Sequence, residues 1–441
     1  MAPSRTTITL TPGSTQGVES VVAILAKRKG DDYYVYERKG HWHLGIGVHS
    51  SLLIDPKGET ATVVTESKEQ QYPINKPLVS IVHEFVSVNV KQGSRIHGQA
   101  GFNYAAHIRG LEYSPGHWPL LSMMVPRIEI TIHQEYITVT GFNNEEVKEL
   151  CSLMVDEPSI KPTSPQVIDT QSGGKDYTYR VSQALAEISE DKYTKVILSR
   201  AVDIQERVEM PATLLQGRRS NNPARSFSFS HGGLQATGFS PELVLSVHDR
   251  KVTTEPLAGT RSCKGTEAEA EKLRHELLND PKEIVEHVIS VKEAIGELNQ
   301  LCLSDTIAVE GLMEVRRRGS VQHLGSRVVG MLSPERSVWE AFEVLFPSIT
   351  ASGIPKRAAI EAIQRLEHQP RELYAGAVFM IEDLESFEAA LVLRTVFQDE
   401  NRQWVQAGAG VISQSLPERE MTETCEKLAS IAPFVVTEPA T

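Results

Sequence analysis

Cysteine is scarce in this chain: Cys151, Cys263, Cys302 and Cys425 are the only four among 441 residues, with no CxxC pair and no histidine at zinc spacing. That speaks against a disulfide scaffold or a local zinc site and points to reduced thiols in a cytosol. Aromatic residues are few, at 6%, and basic residues are in deficit, 45 Lys and Arg against 57 Asp and Glu, for a formal charge of −12. Such a balance argues against nucleic acid or an anionic membrane as main partner, although a local basic cluster or a metal can still attract a small anion. No apolar run reaches membrane-spanning length, and the opening MAPSRTTITL lacks a signal-peptide stretch, so a cytoplasmic protein is expected. What is present, 40% hydrophobic and 23% charged residues, suffices for an ample core.

The first 140 residues or so are strand-rich. YYVYER (33–38), HWHLGIGV (41–48) and ATVVTE (61–66) predict strands, and RIEITIHQEYITVTGF (127–142) predicts a hairpin. NNEEVKELCSLMV (143–155) predicts a helix capped by Asn143. Residues 156–174, with three prolines and two glycines, read as a loop or linker. Beyond Asp176 helices are expected at 178–189, 211–219, 266–278, 282–300, 336–344, 355–366 and 417–432. Strands are expected at 195–204, 226–231, 234–246, 321–331, 376–382, 387–398 and 403–412. Adjacent strands without strict βαβ alternation favour one large α+β domain, with antiparallel or mixed sheets packed together and helices outside. The divisions are a strand-rich part at 1–156, a linker at 157–175, a motif-bearing region at 176–433 and a loose tail at 434–441.

Two glutamate pairs stand out. Glu283 and Glu286 lie in DPKEIVEHVISV (280–291), where Ile284, Val285, Val288 and Ile289 give an apolar face. Glu420 and Glu423 lie in LPEREMTETCEKLASI (416–431), with Met421, Leu428 and Ile431 facing inward. Residues three apart share a helix face, so two such faces brought together make an all-oxygen site suited to Mg2+ and an anionic substrate. Taken singly, such pairs are more often solvated surface. Lys195 opens an apolar strand, where desolvation can turn a lysine into a general base; a surface strand end is the plainer alternative. Glu242 follows a Gly/Ser/Pro turn, and burial there would make it a general acid, although turn chemistry alone accounts for many such residues. Gly259 and Thr260 in EPLAGTR, Thr350 in TASGIPK, and Gly408-Ala409-Gly410 leave backbone amides accessible to an anion. His323, Tyr374 and Arg394 sit in or beside apolar strands, and a buried Arg394 would need a carboxylate, from a ligand or from the protein.

In combination these segments resemble the chorismate-utilising enzymes that share the anthranilate synthase catalytic-subunit fold, and most closely the salicylate synthases of siderophore pathways. KVILSR, GFSPELV, EPLAGTR, DPKEIVEHVISV, RGSVQHLGS, FPSITASGIPK, LYAGAV, LVLRT, AGAGVI and PEREMTETCEKL occur in the family's order between about 183 and 432. YYVYER, HWHLGIG and PRIEITI extend the likeness, more loosely, to the N-terminal part. The resemblance implies that 176–433 is a chorismate-binding catalytic region making isochorismate and then salicylate plus pyruvate, with Mg2+ as cofactor. It implies Lys195 as the base that activates water for C2, and Glu242 as the acid for the departing C4 hydroxyl. Glu286 and Glu423 would be direct metal ligands, with Glu283 and Glu420 on metal-bound water or close to it. Tyr374, Arg394, the amides of Gly408, Ala409 and Gly410, and Lys427 would meet the enolpyruvyl carboxylate. His323, Thr350, Gly259 and Thr260 would line the ring pocket. The aminating relatives have glutamine-type residues where Lys195 stands, so no glutaminase subunit is expected, and a monomer is. An isochorismate synthase that stops at the intermediate, or a non-catalytic chorismate-binding protein, are the alternatives.

Overall fold

The strand Tyr33–Arg38 shows how the core is assembled. Successive side chains of a strand point to opposite faces, and here both faces are buried: Tyr34 and Tyr36 enter one apolar core, Tyr33 and Val35 another. The computed structural model describes residues 5–11, 17–65, 68–90, 93–154, 167–263, 265–319 and 321–438. Among these every strand pairing is antiparallel, and the pairings link the strands into one continuous network with two arms, each a large sheet. The first runs, neighbour to neighbour, through Thr6–Leu10, Ile137–Gly141, Leu121–Ile132, His41–Ile54, Tyr33–Arg38, Arg225–His231, Leu234–Ser240, Thr395–Gln398, Gln403–Val411 and Lys195–Ile204. The second continues from Leu121–Ile132 through Ile96–Ala100, Ala377–Ile381, Phe387–Leu391, Leu243–His248, Lys251–Thr254 and Val321–Met331. The long strands His41–Ile54 and Leu121–Ile132 belong to both.

Strands from either side of the expected linker hydrogen-bond directly, Tyr36 opposite Phe227 and Gly98 opposite Phe379, so the chain is one α+β domain. Helices Val18–Lys27, Asn144–Leu153 and Met210–Ser220 cover the second apolar core. Asn143 caps its helix as expected, its side chain accepting from the Glu145 and Glu146 amides. The expected linker falls largely on 155–166, outside the described residues, and its last residues belong to the helix Gly174–Ser189. The tail is not loose where it is described. Val435 and Val436 are buried, and Val436 and Glu438 hydrogen-bond to Glu209, Thr213 and Arg207.

Two expected strands, 234–246 and 387–398, are each broken, and the breaks create the working corner of the molecule. Leu234–Ser240 pairs with Thr395–Gln398 in the first sheet, whereas Leu243–His248 pairs with Phe387–Leu391 in the second. Both chains therefore change sheets at the same place, the usual way a corner is made in packed sheets. Ser240 Oγ donates to the Leu391 carbonyl at 2.6 Å, and the Leu391 and Phe239 amides donate to the carbonyls of Glu242 and Arg394 at 3.1 and 3.2 Å. Glu242 and Arg394 sit in the two breaks, and Arg394 holds a left-handed backbone with φ of 51°.

Candidate active site

Helix Pro281–Leu298 begins as its sequence dictates. The Asp280 carboxylate accepts from the Lys282 and Glu283 amides at 2.9 and 3.4 Å, and Pro281 takes the first helical position. Its orientation differs from the expected one. Val285 and Val288 are 42% and 47% exposed, while Glu283, Glu286, His287 and Ser290 are buried. Charge pairing is the reason: Lys195 Nζ lies 2.9 Å from Glu286, and Arg261 lies 3.0 Å from Glu283. Helix Pro417–Leu428 brings Glu420 and Glu423 to the same place, both buried, with Lys427 2.8 Å from Glu423. Lys282, which the sequence reading passed over, reaches across the gap, 3.3 Å from Glu286, 3.4 Å from Glu420 and 3.8 Å from Glu283.

Burial pushes all four carboxyls up, and the cations decide the outcome. At Glu286 the charges of Lys195 and Lys282 prevail, and at Glu423 those of Lys427 and Lys282, so both stay below the ordinary range. Glu283 and Glu420 remain raised by desolvation, Glu420 to about 7. Among the described residues no three His, Cys, Asp or Glu side chains converge as a ready-made metal cage. The donor chemistry nonetheless fits a hard cation. Glu283 Oε2 and both Glu420 oxygens are buried without a hydrogen-bond partner, and all-oxygen donors are what Mg2+ takes. Gly410 leaves the Glu286 carboxylate its place, since a Cβ at that position would push against Glu286 Oε1.

The corner between the sheets supplies the other half of the site. Glu242 is 2% exposed, and its Oε1 accepts from Thr350 Oγ1 at 2.6 Å and Ser348 Oγ at 2.8 Å. Burial pushes its carboxyl up to about 8 against those two hydrogen bonds, so the neutral acid prevails at neutral pH. Arg394 is buried and, among the described residues, pairs with no carboxylate. Its Nη1 donates to the Arg318 carbonyl at 3.1 Å and its Nη2 meets His323 Nε2. Burial, with Arg318 nearby, lowers the guanidinium to about 9. Burial followed by Arg394 keeps His323 neutral. The Gly259 carbonyl can only accept, so the hydrogen of His323 is on Nδ1, donating at 2.9 Å, and Nε2 is free to accept from Arg394.

Glu242, Thr350, Thr260, His323, Arg394 and Tyr374 line one cavity with Gly259, Gly408, Gly410, Glu286, Glu423 and Lys427. Lys195 stands one layer behind it, 1% exposed and 3.2 Å from Ser290 Oγ. Glu283, Glu420 and Ala409 likewise do not line it, Ala409 because strand alternation turns its methyl to the opposite face. Ser348, Gln406 and Ile197 complete the neighbourhood and were not foreseen; Ser348, two positions before Thr350, was the one readable from sequence. The free space is about 60 Å³, much less than the roughly 300 Å³ at which ligand pockets begin, so side chains must shift to admit a ring. A larger groove of about 850 Å³ lies elsewhere, lined by Arg38, His41, Arg225 and Arg327 among others, and holds none of the foreseen site residues.

Comparisons with known proteins identify the family. The family described as chorismate binding enzyme matches residues 31–433. A salicylate synthase from Mycolicibacterium paratuberculosis is 37% identical over 420 residues, covering 94% of this chain and 92% of its own. Anthranilate synthase component 1 of Methanothermobacter thermautotrophicus is 28% identical over 394 residues, covering 88% and 84%. Among solved structures, the menaquinone-specific isochorismate synthase of Escherichia coli superposes with a TM-score of 0.75 at 21% identity, covering 98% of this chain and 95% of its own. Anthranilate synthase component I of Streptococcus pneumoniae also gives 0.75, at 22% identity and 89% and 92% coverage. This chain belongs to the chorismate-utilising enzymes.

Proposed function

We propose that the chain is a salicylate synthase that converts chorismate to isochorismate and then to salicylate and pyruvate, with Mg2+ as cofactor. The observation that carries this reading is one cavity holding a buried arginine that has no carboxylate partner among the described residues and, in the facing strand break, a glutamate held neutral. A dianionic substrate suits the first, and a departing hydroxyl suits the second. Arg394 and Lys427 bind the enolpyruvyl carboxylate, with Tyr374 and the amides of the Gly408–Gly410 strand beside it. Glu242 gives its proton to the C4 hydroxyl, which leaves as water, while Lys195 takes a proton from the water that adds at C2. Lys195 is tied to Glu286 at 2.9 Å, so it serves as base only once that ion pair loosens. Glu286 and Glu423, backed by Glu283 and Glu420, would hold Mg2+, whose chemistry when bound is to fix and neutralise the ring carboxylate. In the second step hydrogen passes from C2 to the enolpyruvyl methylene as the C3–O bond breaks, which demands a fixed conformation more than a protein base.

The test separates the steps. Purified protein given chorismate and Mg2+ should release fluorescent salicylate, and EDTA should stop it reversibly. Lys195→Ala should lose at least about 10²-fold in forming isochorismate, the scale of general-base assistance, yet keep measurable pyruvate release from saturating isochorismate. Accumulating isochorismate without salicylate would select a single-step synthase, and binding without turnover a non-catalytic protein. A Lys195→Ala enzyme that hydrates chorismate normally would remove the lysine from its role.

A further inference from the structure

Among the described residues, Lys282 is the one basic side chain that lies within 4 Å of three of the four glutamates at once. Each of the others has its own cation: Arg261 for Glu283, Lys195 for Glu286 and Lys427 for Glu423. Glu420 has none of these. It is 1% exposed, and neither of its oxygens meets a cation other than the Lys282 ammonium, at 3.4 Å, among the described residues. The same ammonium lies between the two helices, 3.3 Å from Glu286 and 3.8 Å from Glu283.

Resting on the metal reading of this site, we propose that the Lys282 ammonium is an internal counter-ion that occupies the carboxylate cluster in the metal-free protein and is displaced when a divalent cation enters. Electrostatics requires an occupant. Buried carboxylates facing one another repel strongly in a low-dielectric site unless positive charge lies between them, and the four glutamates are matched by Lys195, Lys282, Lys427 and Arg261. Displacement is sterically open, because Lys282 sits in the first turn of its helix with its side chain 17% exposed. The four-carbon stem can therefore carry the ammonium outward without moving the backbone. Once the metal has entered, the site carries two additional positive charges unless the ammonium departs or a dianion arrives. Metal and dianionic substrate should accordingly strengthen each other's binding.

The experiment titrates Mg2+ alone, by calorimetry and without substrate, against the full chain and its Lys282→Met variant, with melting temperature followed in parallel. The expected result is at least tenfold tighter Mg2+ binding by Lys282→Met. The metal-free variant should also melt lower than the parent, and Mg2+ should restore the difference. A general folding defect would not tighten metal binding, and Lys282→Arg, which keeps the charge, should bind Mg2+ no tighter than the parent. Equal or weaker Mg2+ binding by Lys282→Met, with the parent still binding Mg2+ and turning over chorismate, would overturn the counter-ion role while leaving the enzyme reading intact. If neither protein bound Mg2+, the metal reading and this inference would fall together.

Discussion

Glu242 shows how much one buried side chain can govern. Its ordinary value is 4.5 and burial takes it to about 8. Between those values the folded protein retains a proton that the unfolded chain has released, so stability is full below about pH 4.5 and is lost as pH rises through about 8. By roughly 1.4 kcal/mol per unit, the slope sums to at most about 5 kcal/mol. Glu242→Gln should abolish it, so thermal melts of parent and variant compared from pH 5 to 9 should converge at the acid end and separate at the alkaline end. Activity should fall above about pH 8 as the acid ionises, and a flat rate profile to pH 10 would take Glu242 out of the acid role. Arg394 makes the complementary case. Removing one partner of a buried charge contact typically costs about 3–5 kcal/mol, so Arg394→Ala should lower kcat/KM by two decades or more; a change under threefold would mean that the arginine is only structural.

The metal site is a property of elements: two helices and the strand between them. Strand Gln403–Val411 passes so close to helix Pro281–Leu298 that a methyl on Gly410 would strike Glu286. Gly410 is not among the positive-φ glycines, so alanine meets no backbone penalty there and its effect should fall mainly on the carboxylate, with a lesser contact at Ile197. Gly410→Ala is expected to fold with a melting temperature within a few degrees of the parent, to bind Mg2+ more weakly, and to lose more than tenfold in kcat/KM. Normal activity in this variant would place the metal away from Glu286. Glu286→Gln and Glu423→Gln should each remove most activity, and full turnover in metal-free buffer would discard the metal altogether.

At the scale of the whole molecule, two sheets share the strands His41–Ile54 and Leu121–Ile132, and the last described residues are packed into the fold. Val435 and Val436 are buried beside helix Met210–Ser220, with Glu209 N donating to the Val436 carbonyl at 2.9 Å and Val436 N to Thr213 Oγ1 at 3.0 Å. Burying a valine contributes about 1.5 kcal/mol or more. A chain ending at Phe434 should therefore lose about 3 kcal/mol and melt several degrees lower by calorimetry. An unchanged melting temperature would return the segment to the loose tail that its sequence, VVTEPAT, suggests.

The sequence by itself determined the fold class, the strands and helices with clear periods, and many of the residues that line the cavity, though Lys195, Glu283, Glu420 and Ala409 stand outside its lining. Ordered motifs carry that information because each pairs a turn or helix start with a specific polar residue. It could not determine the facing of helix Pro281–Leu298: hydrophobic pattern put Val285 and Val288 inside, whereas the cations Lys195, Arg261 and Lys282, far apart in sequence or hidden in the motif itself, draw the glutamates in. Helices Val18–Lys27 and Leu78–Val90 had no assigned element, the latter because its many β-branched residues favour strand locally while burial of Leu78, Ile81, Val82 and Phe85 on one face makes it a helix. Only the tertiary structure broke the expected strands 234–246 and 387–398 where they change sheets. A Gly/Ser/Pro turn marks the first break in the sequence but the apolar run Ala389–Leu393 hides the second, and it is pairing with two different sheets that sets Glu242 and Arg394 at a shared corner.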